Sequence, residues 1–77
     1  MTKDFEVLFM KVRLLRIAAN SWKVDVQKAC DIFYRNDLFK FIEDCYDIFH
    51  TEGDFAVFDE ITAVLKHKGG YMDAKTN

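Results

Sequence analysis

The chain has no proline, so nothing in its 77 residues forbids long helices. Its three glycines are confined to Gly53 and the Gly69-Gly70 pair, which leaves long stretches without a flexible break. Two cysteines, Cys30 and Cys45, allow at most one disulfide and rule out a disulfide-stapled scaffold. No apolar run approaches the length of a membrane span, and Asp4 and Glu6 stand where a secretory signal needs a basic start and an apolar run. The net charge is −2, so the chain as a whole is not a polycation for nucleic acid. These shortages predict a single small domain in the cytoplasm, with both cysteines as reduced thiols.

What is abundant is apolar bulk: 51% of residues are hydrophobic, eight of them Phe. The apolar spacing is helical throughout. It predicts an all-α bundle of four helices, at about 4–20, 25–35, 38–51 and 55–68. The ordered core then covers about 4–69, followed by a frayed tail over Tyr71–Asn77. A core drawn from so short a chain is small, and burial in an oligomer or a complex would add to it.

The first helix carries two stripes. Phe5, Leu8, Val12, Leu15, Ala19 and Trp22 follow a 3-4-3-4-3 spacing, and Val7, Met10, Leu14 and Ile17 follow 3-4-3. At roughly 100° per residue the stripes lie about 100° or more apart. One stripe suffices for the core of the domain. The second needs either another helix of the same chain or another subunit, which makes Val7, Met10, Leu14 and Ile17 candidate partner-binding residues.

Asp25 is placed to cap the second helix, whose inner face reads Val26, Ala29, Cys30 and Phe33. Asn36-Asp37 reads as a break with a second cap. The third helix presents Leu38, Phe41, Ile42, Cys45, Ile48 and Phe49 inward, and Lys40, Glu43, Asp44, Asp47 and His50 outward. Gly53 suits a left-handed helix terminator and Asp54 the cap of the fourth helix, whose stripe is Val57, Phe58, Ile61, Val64 and Leu65.

Charge is segregated along the chain. Residues 1–35 carry net +3, residues 36–60 net −7 and residues 61–77 net +2. The acidic block contains Glu43, Asp44 and Asp47, with His50 beside them. The plain reading is a solvated acidic face closed by a histidine at a helix end. The functional reading is a docking surface for a basic protein, with His50 as a pH-responsive contact.

Catalysis finds little support. Cys45 and His50 are five residues apart, about 140° around the helix after a full turn, so a thiolate and its base would point to different faces. Most carboxylates fall on helices rather than in the long glycine-centred loop that calcium requires. No metal, cofactor or enzymatic activity is therefore expected. The short turn between the second and third helices raises a helix-turn-helix, but the would-be recognition helix sets Lys40 against three carboxylates and would repel phosphate. A small DNA-binding regulator and a homo-oligomeric structural domain stay as alternatives.

The segment Tyr46-Asp-Ile-Phe-His-Thr-Glu-Gly53, followed by a helix with Phe58, Ile61 and Leu65, resembles a bacterial family of very short helical proteins known only as a domain of unknown function. In that family a helix closes on a Tyr-Asp-x-[Leu/Phe]-His-Thr-x-Gly turn, and the resemblance covers about residues 5–68. Such genes are often neighbours of ADP-ribosyltransferase-like toxin candidates. The resemblance implies an antitoxin or immunity-like binding protein, whose partner is itself or the product of a neighbouring gene. It brings no catalytic residues with it.

Overall fold

A computed structural model describes residues 2–68, all within four helices and their short connections. Helix α1 runs Thr2–Trp22, α2 Val26–Arg35, α3 Leu38–Phe49 and α4 Asp54–Lys68. The architecture is the expected all-α bundle, with α1 packed against each of the other three helices. The Gly69-Gly70 stop and the tail beyond it lie outside the described residues.

Helix α1 is long because nothing in it interrupts helical geometry: it holds neither proline nor glycine over 21 residues. It ends at Lys23, which takes a left-handed φ of 61°, while the Val24 amide donates to the Ala19 carbonyl at 3.0 Å. Asp25 then starts α2 as expected, its carboxylate accepting from the Lys28 amide at 2.8 Å.

The next joint works differently from its expected form. Asp37 makes no side-chain cap; its backbone is left-handed, with φ 57° and ψ 30°. It acts as a helix terminator that directs the chain from α2 into α3. The Asn36 side chain supports it by donating to the Ile32 carbonyl at 2.8 Å. Aspartate tolerates this conformation better than most residues, which is why a cap-like residue can serve as a stop.

Gly53 also departs from expectation. Its backbone is not left-handed, and a side chain there would meet nothing within 4 Å. The Gly53 carbonyl accepts from the Val57 amide at 3.1 Å, so glycine itself stands at the cap position and Asp54 is already inside α4. The preceding helix is closed by Thr51, whose hydroxyl donates to the Ile48 carbonyl at 2.7 Å.

The core settles the phase of each helix. On α1 the fully buried side chains are Met10, Leu14 and Ala18, with Val7 and Ile17 packed against them. The stripe Val7, Met10, Leu14 and Ile17, considered above for a partner, is therefore the core stripe. The other stripe is divided. Leu15, Ala19 and Trp22 are covered, whereas Phe5, Leu8 and Val12 are exposed at 53%, 49% and 41%. On α2 the inner face is Ala29, Ile32 and Phe33, and Val26 lies outside. On α3 it is Leu38, Ile42, Tyr46 and Phe49, so Tyr46 turns in while Ile48 turns out. The α4 stripe is as expected, with Val57, Phe58, Ile61 and Leu65 buried and Val64 half-buried.

Aromatic contacts tie the ends of the helices together. Trp22 packs between Phe33 of α2 and Phe58 of α4, with ring centroids at 6.0 and 5.8 Å. Phe33 meets Phe39 at 5.4 Å, which joins α2 to the start of α3.

Candidate functional site

Two surfaces concentrate polar chemistry or uncovered apolar area: the α3–α4 corner where it meets α1, and the outer face of the N-terminal half of α1.

At the corner, Tyr46 is mostly buried yet keeps a partner: its hydroxyl donates to Glu6 Oε1 of α1 at 2.8 Å. Donating to a carboxylate favours the neutral phenol, so the Tyr46 pKa lies above its ordinary value. The His50 imidazole stacks on the Tyr46 ring at 5.2 Å and 18°. Beside them Arg13 grips Asp54 through two bonds, Nε to Oδ2 at 2.8 Å and Nη2 to Oδ1 at 3.3 Å. This bond to the carboxylate holds the Arg13 guanidinium above its already high pKa. Glu52 is pushed up from the usual carboxylate range, first by desolvation and then by the nearby Glu60. The groups line a cavity of about 240 Å³, with Phe9 and Met10 as its apolar wall. The polar groups there are engaged with one another, and no buried side-chain nitrogen or oxygen among the described residues lacks a hydrogen-bond partner.

Helix α3 displays its acidic residues to solvent, but they are already paired. Glu43 binds Lys11, Asp47 binds Lys3 at 3.1 Å, and Asp44 binds Lys40 at 3.3 Å. Three of the four cations holding Glu43, Asp44, Asp47 and Asp54 come from α1. The segregation of charge along the sequence is thus a match between α1 and the α3–α4 corner inside one molecule.

The residues considered for catalysis do not assemble into a site. Cys45 and Cys30 are free thiols, each half-buried. His50 is exposed on its stack with Tyr46, on another face of α3 from Cys45. No group of three His, Cys, Asp or Glu among the described residues is placed to hold a metal ion. None of the described helices is long and apolar enough to cross a membrane.

The second surface is apolar. Phe5, Leu8, Phe9 and Val12 form one exposed arc on α1, and Phe5 stacks on Phe9 at 6.3 Å and 24°. Its origin is a difference in length: α1 has 21 residues and α2 only 10, or about 31 Å against about 15 Å. At Trp22, α1 meets Phe33 of α2, and 10 residues are too few to follow α1 along its whole length. Phe9 lies in neither expected stripe; Phe5 at i−4 and Val12 at i+3, with Leu8 next to it in sequence, were the available signal. The pairing of Glu6 with Tyr46 and of Arg13 with Asp54, which was expected only as a cap, was not foreseen, and the opposed charge blocks were its signal.

The fold and these surfaces define a small α-helical module with a polar corner and one uncovered apolar helix face. The chain belongs to the family described as Protein of unknown function (DUF3791), whose profile matches residues 9–68. No curated protein and no solved structure shows significant similarity to it.

Proposed function

We propose that the chain is a non-enzymatic, cytoplasmic protein-binding module that acts by masking a surface of its partner. The observation that carries this reading is the exposed arc of Phe5, Leu8, Phe9 and Val12. Large aromatic side chains grouped on a rigid helix are what anchors a protein interface, and steric masking requires no reactive group. In its finer form the module is antitoxin- or immunity-like, and its partner is the toxin encoded by a neighbouring gene. The Tyr46–Gly53 turn supports that form through its resemblance to bacterial proteins encoded beside toxin candidates. Asp44, Asp47 and His50 then form the rim rather than the anchor, because internal ion pairs already weaken the acidic field.

Co-expression with the neighbouring gene product, followed by pull-down, tests the reading. A complex is expected from the native chain, and Leu8→Glu is expected to abolish it while leaving helicity intact. A complex that survives Leu8→Glu removes the α1 face from the reading. No complex at all sinks the antitoxin form.

A further inference from the structure

We propose that the uncovered face of α1 is occupied by a second copy of this chain, its α1 lying antiparallel across the first. The proposal rests on reading that face as protein-binding and names its occupant.

Three arguments support self-pairing. The first is area. With a Phe presenting about 200 Å² and Leu and Val somewhat less, exposures of 53%, 49%, 56% and 41% leave roughly 370 Å² of these four side chains uncovered. If they make up a little over half of the buried surface, as apolar area does in ordinary interfaces, each copy buries about 650 Å². The total of about 1,300 Å² lies at the lower end for specific complexes, in keeping with a dimer that dissociates in the micromolar range.

The second is shape. A two-fold axis passing at Leu8 sets Leu8 against its own copy and bulky Phe5 against small Val12 of the other α1. Each large ring then meets a position with room for it.

The third is charge. Asp4 makes no ion pair among the described residues, and it lies on the same flank of α1 as Lys11, two turns away. The antiparallel register brings Asp4 of each copy to the flank where the other presents Lys11, so that Asp4 joins the existing Lys11–Glu43 pair twice per dimer. A heterologous partner would compete with this pairing for the same four side chains.

Sedimentation equilibrium of the full chain from about 1 to 500 μM tests the proposal. The mass is expected to rise from one chain to two across that range. Leu8→Glu should hold it at one chain, by weakening association at least about 100-fold, with unchanged circular dichroism. Asp4→Lys should weaken association about 10-fold by facing Lys11 with a like charge. Leu8→Cys should be trapped by mild oxidation as a covalent dimer, whereas Ser21→Cys, exposed at the far end of the same helix, should not. A native chain that stays monomeric at every concentration overturns the proposal, as does a dimer indifferent to Leu8→Glu. A monomeric native chain that still loses a separate partner through Leu8→Glu overturns self-pairing alone and leaves the protein-binding reading standing.

Discussion

The two stripes of α1 make opposite demands on the same residue type, and leucine truncation separates them. Leu14 is fully buried in the seam with the other helices, whereas Leu8 is about half exposed on the outer face. Leu14→Ala deletes three carbons from a packed interior, a transfer loss of about 2.4 kcal/mol at about 0.8 kcal/mol per group. The unfilled space adds about 1 kcal/mol, for a total of about 3–4 kcal/mol. Leu8→Ala removes the same atoms from a position half in water and costs about 1 kcal/mol or less. A domain of this size has roughly 4–11 kcal/mol in all, so Leu14→Ala consumes a large fraction of it. Urea unfolding followed at the helical dichroism band is the assay, at concentrations low enough to keep the chain monomeric. With a slope of about 1 kcal/mol per molar, the midpoint should fall by about 3 M for Leu14→Ala and by at most about 1 M for Leu8→Ala. Equal losses for the two variants, or a larger loss for Leu8→Ala, would refute the phase assigned to α1 and everything built on its outer face.

Other perturbations probe the joints and the charges. Asp37→Gly should stabilise the fold by about 1 kcal/mol, since glycine occupies a left-handed φ without steric cost and no side-chain cap is lost; a raised midpoint in the same assay checks it. Arg13→Gln should cost about 0.5–1 kcal/mol after solvent screening, a loss that shrinks in high salt because the Arg13–Asp54 pair is partly exposed. The folded state holds the Glu52 proton more tightly than the unfolded state does. The group therefore favours folding below its unfolded pKa, and that contribution is lost as pH rises through the raised folded value. Glu52→Gln should gain stability relative to the native chain from pH 3 to 7, and a difference independent of pH would count against the cause. Partner binding through α1 should change only slightly between 50 and 300 mM salt, roughly threefold or less, because the α3 carboxylates are already paired. A steep salt dependence measured by titration calorimetry would return the acidic face to the centre of recognition.

Four helices and most of their limits were legible in the sequence because periodicity and breaks agree: there is no proline, Asp25 caps, and the apolar spacing holds within each helix. Phase was less legible where apolar residues outnumber the positions a core can cover. On α1 either stripe could have faced inward, and the sequence holds no local term that chooses between them. The choice is made by the lengths and placement of α2, α3 and α4. On α3, Ile48 was expected in the core and Tyr46 was assigned to neither face. The structure turns Ile48 out and Tyr46 in, where Glu6, forty residues away, satisfies the phenol. Asp37 and Gly53 exchanged expected roles for a similar reason. Residue preferences say which conformations are cheap, and the path of the chain decides which is needed.

The charge blocks and the uncovered apolar arc follow from one arrangement. Lys3, Lys11 and Arg13 of α1 reach three different points on the α3–α4 half, so α1 is held along its length by ion pairs as well as by the core. Individually such exposed pairs contribute little to stability. Together they favour one orientation of α1, because a rotation that buried Phe5 and Phe9 would carry these cations away from their carboxylates. A core stripe of Met10, Leu14 and Ala18 on one side and three cations on its flank leave the Phe5–Val12 arc on the outer side of α1, with Phe9 at its edge beside the Tyr46 corner. Covering it from within would take a longer α2, and Asp25 fixes where α2 begins while Asp37 fixes where it ends. The exposed face is therefore a consequence of the joints and the charges together, and it persists for any sequence that keeps them. Polar residues at Phe5, Leu8, Phe9 and Val12 would give up only the partial cover these side chains have, since they are 53%, 49%, 56% and 41% exposed. About half of each of these side chains is left uncovered by the monomer, and a second protein surface would be a favourable place for the rest of their burial.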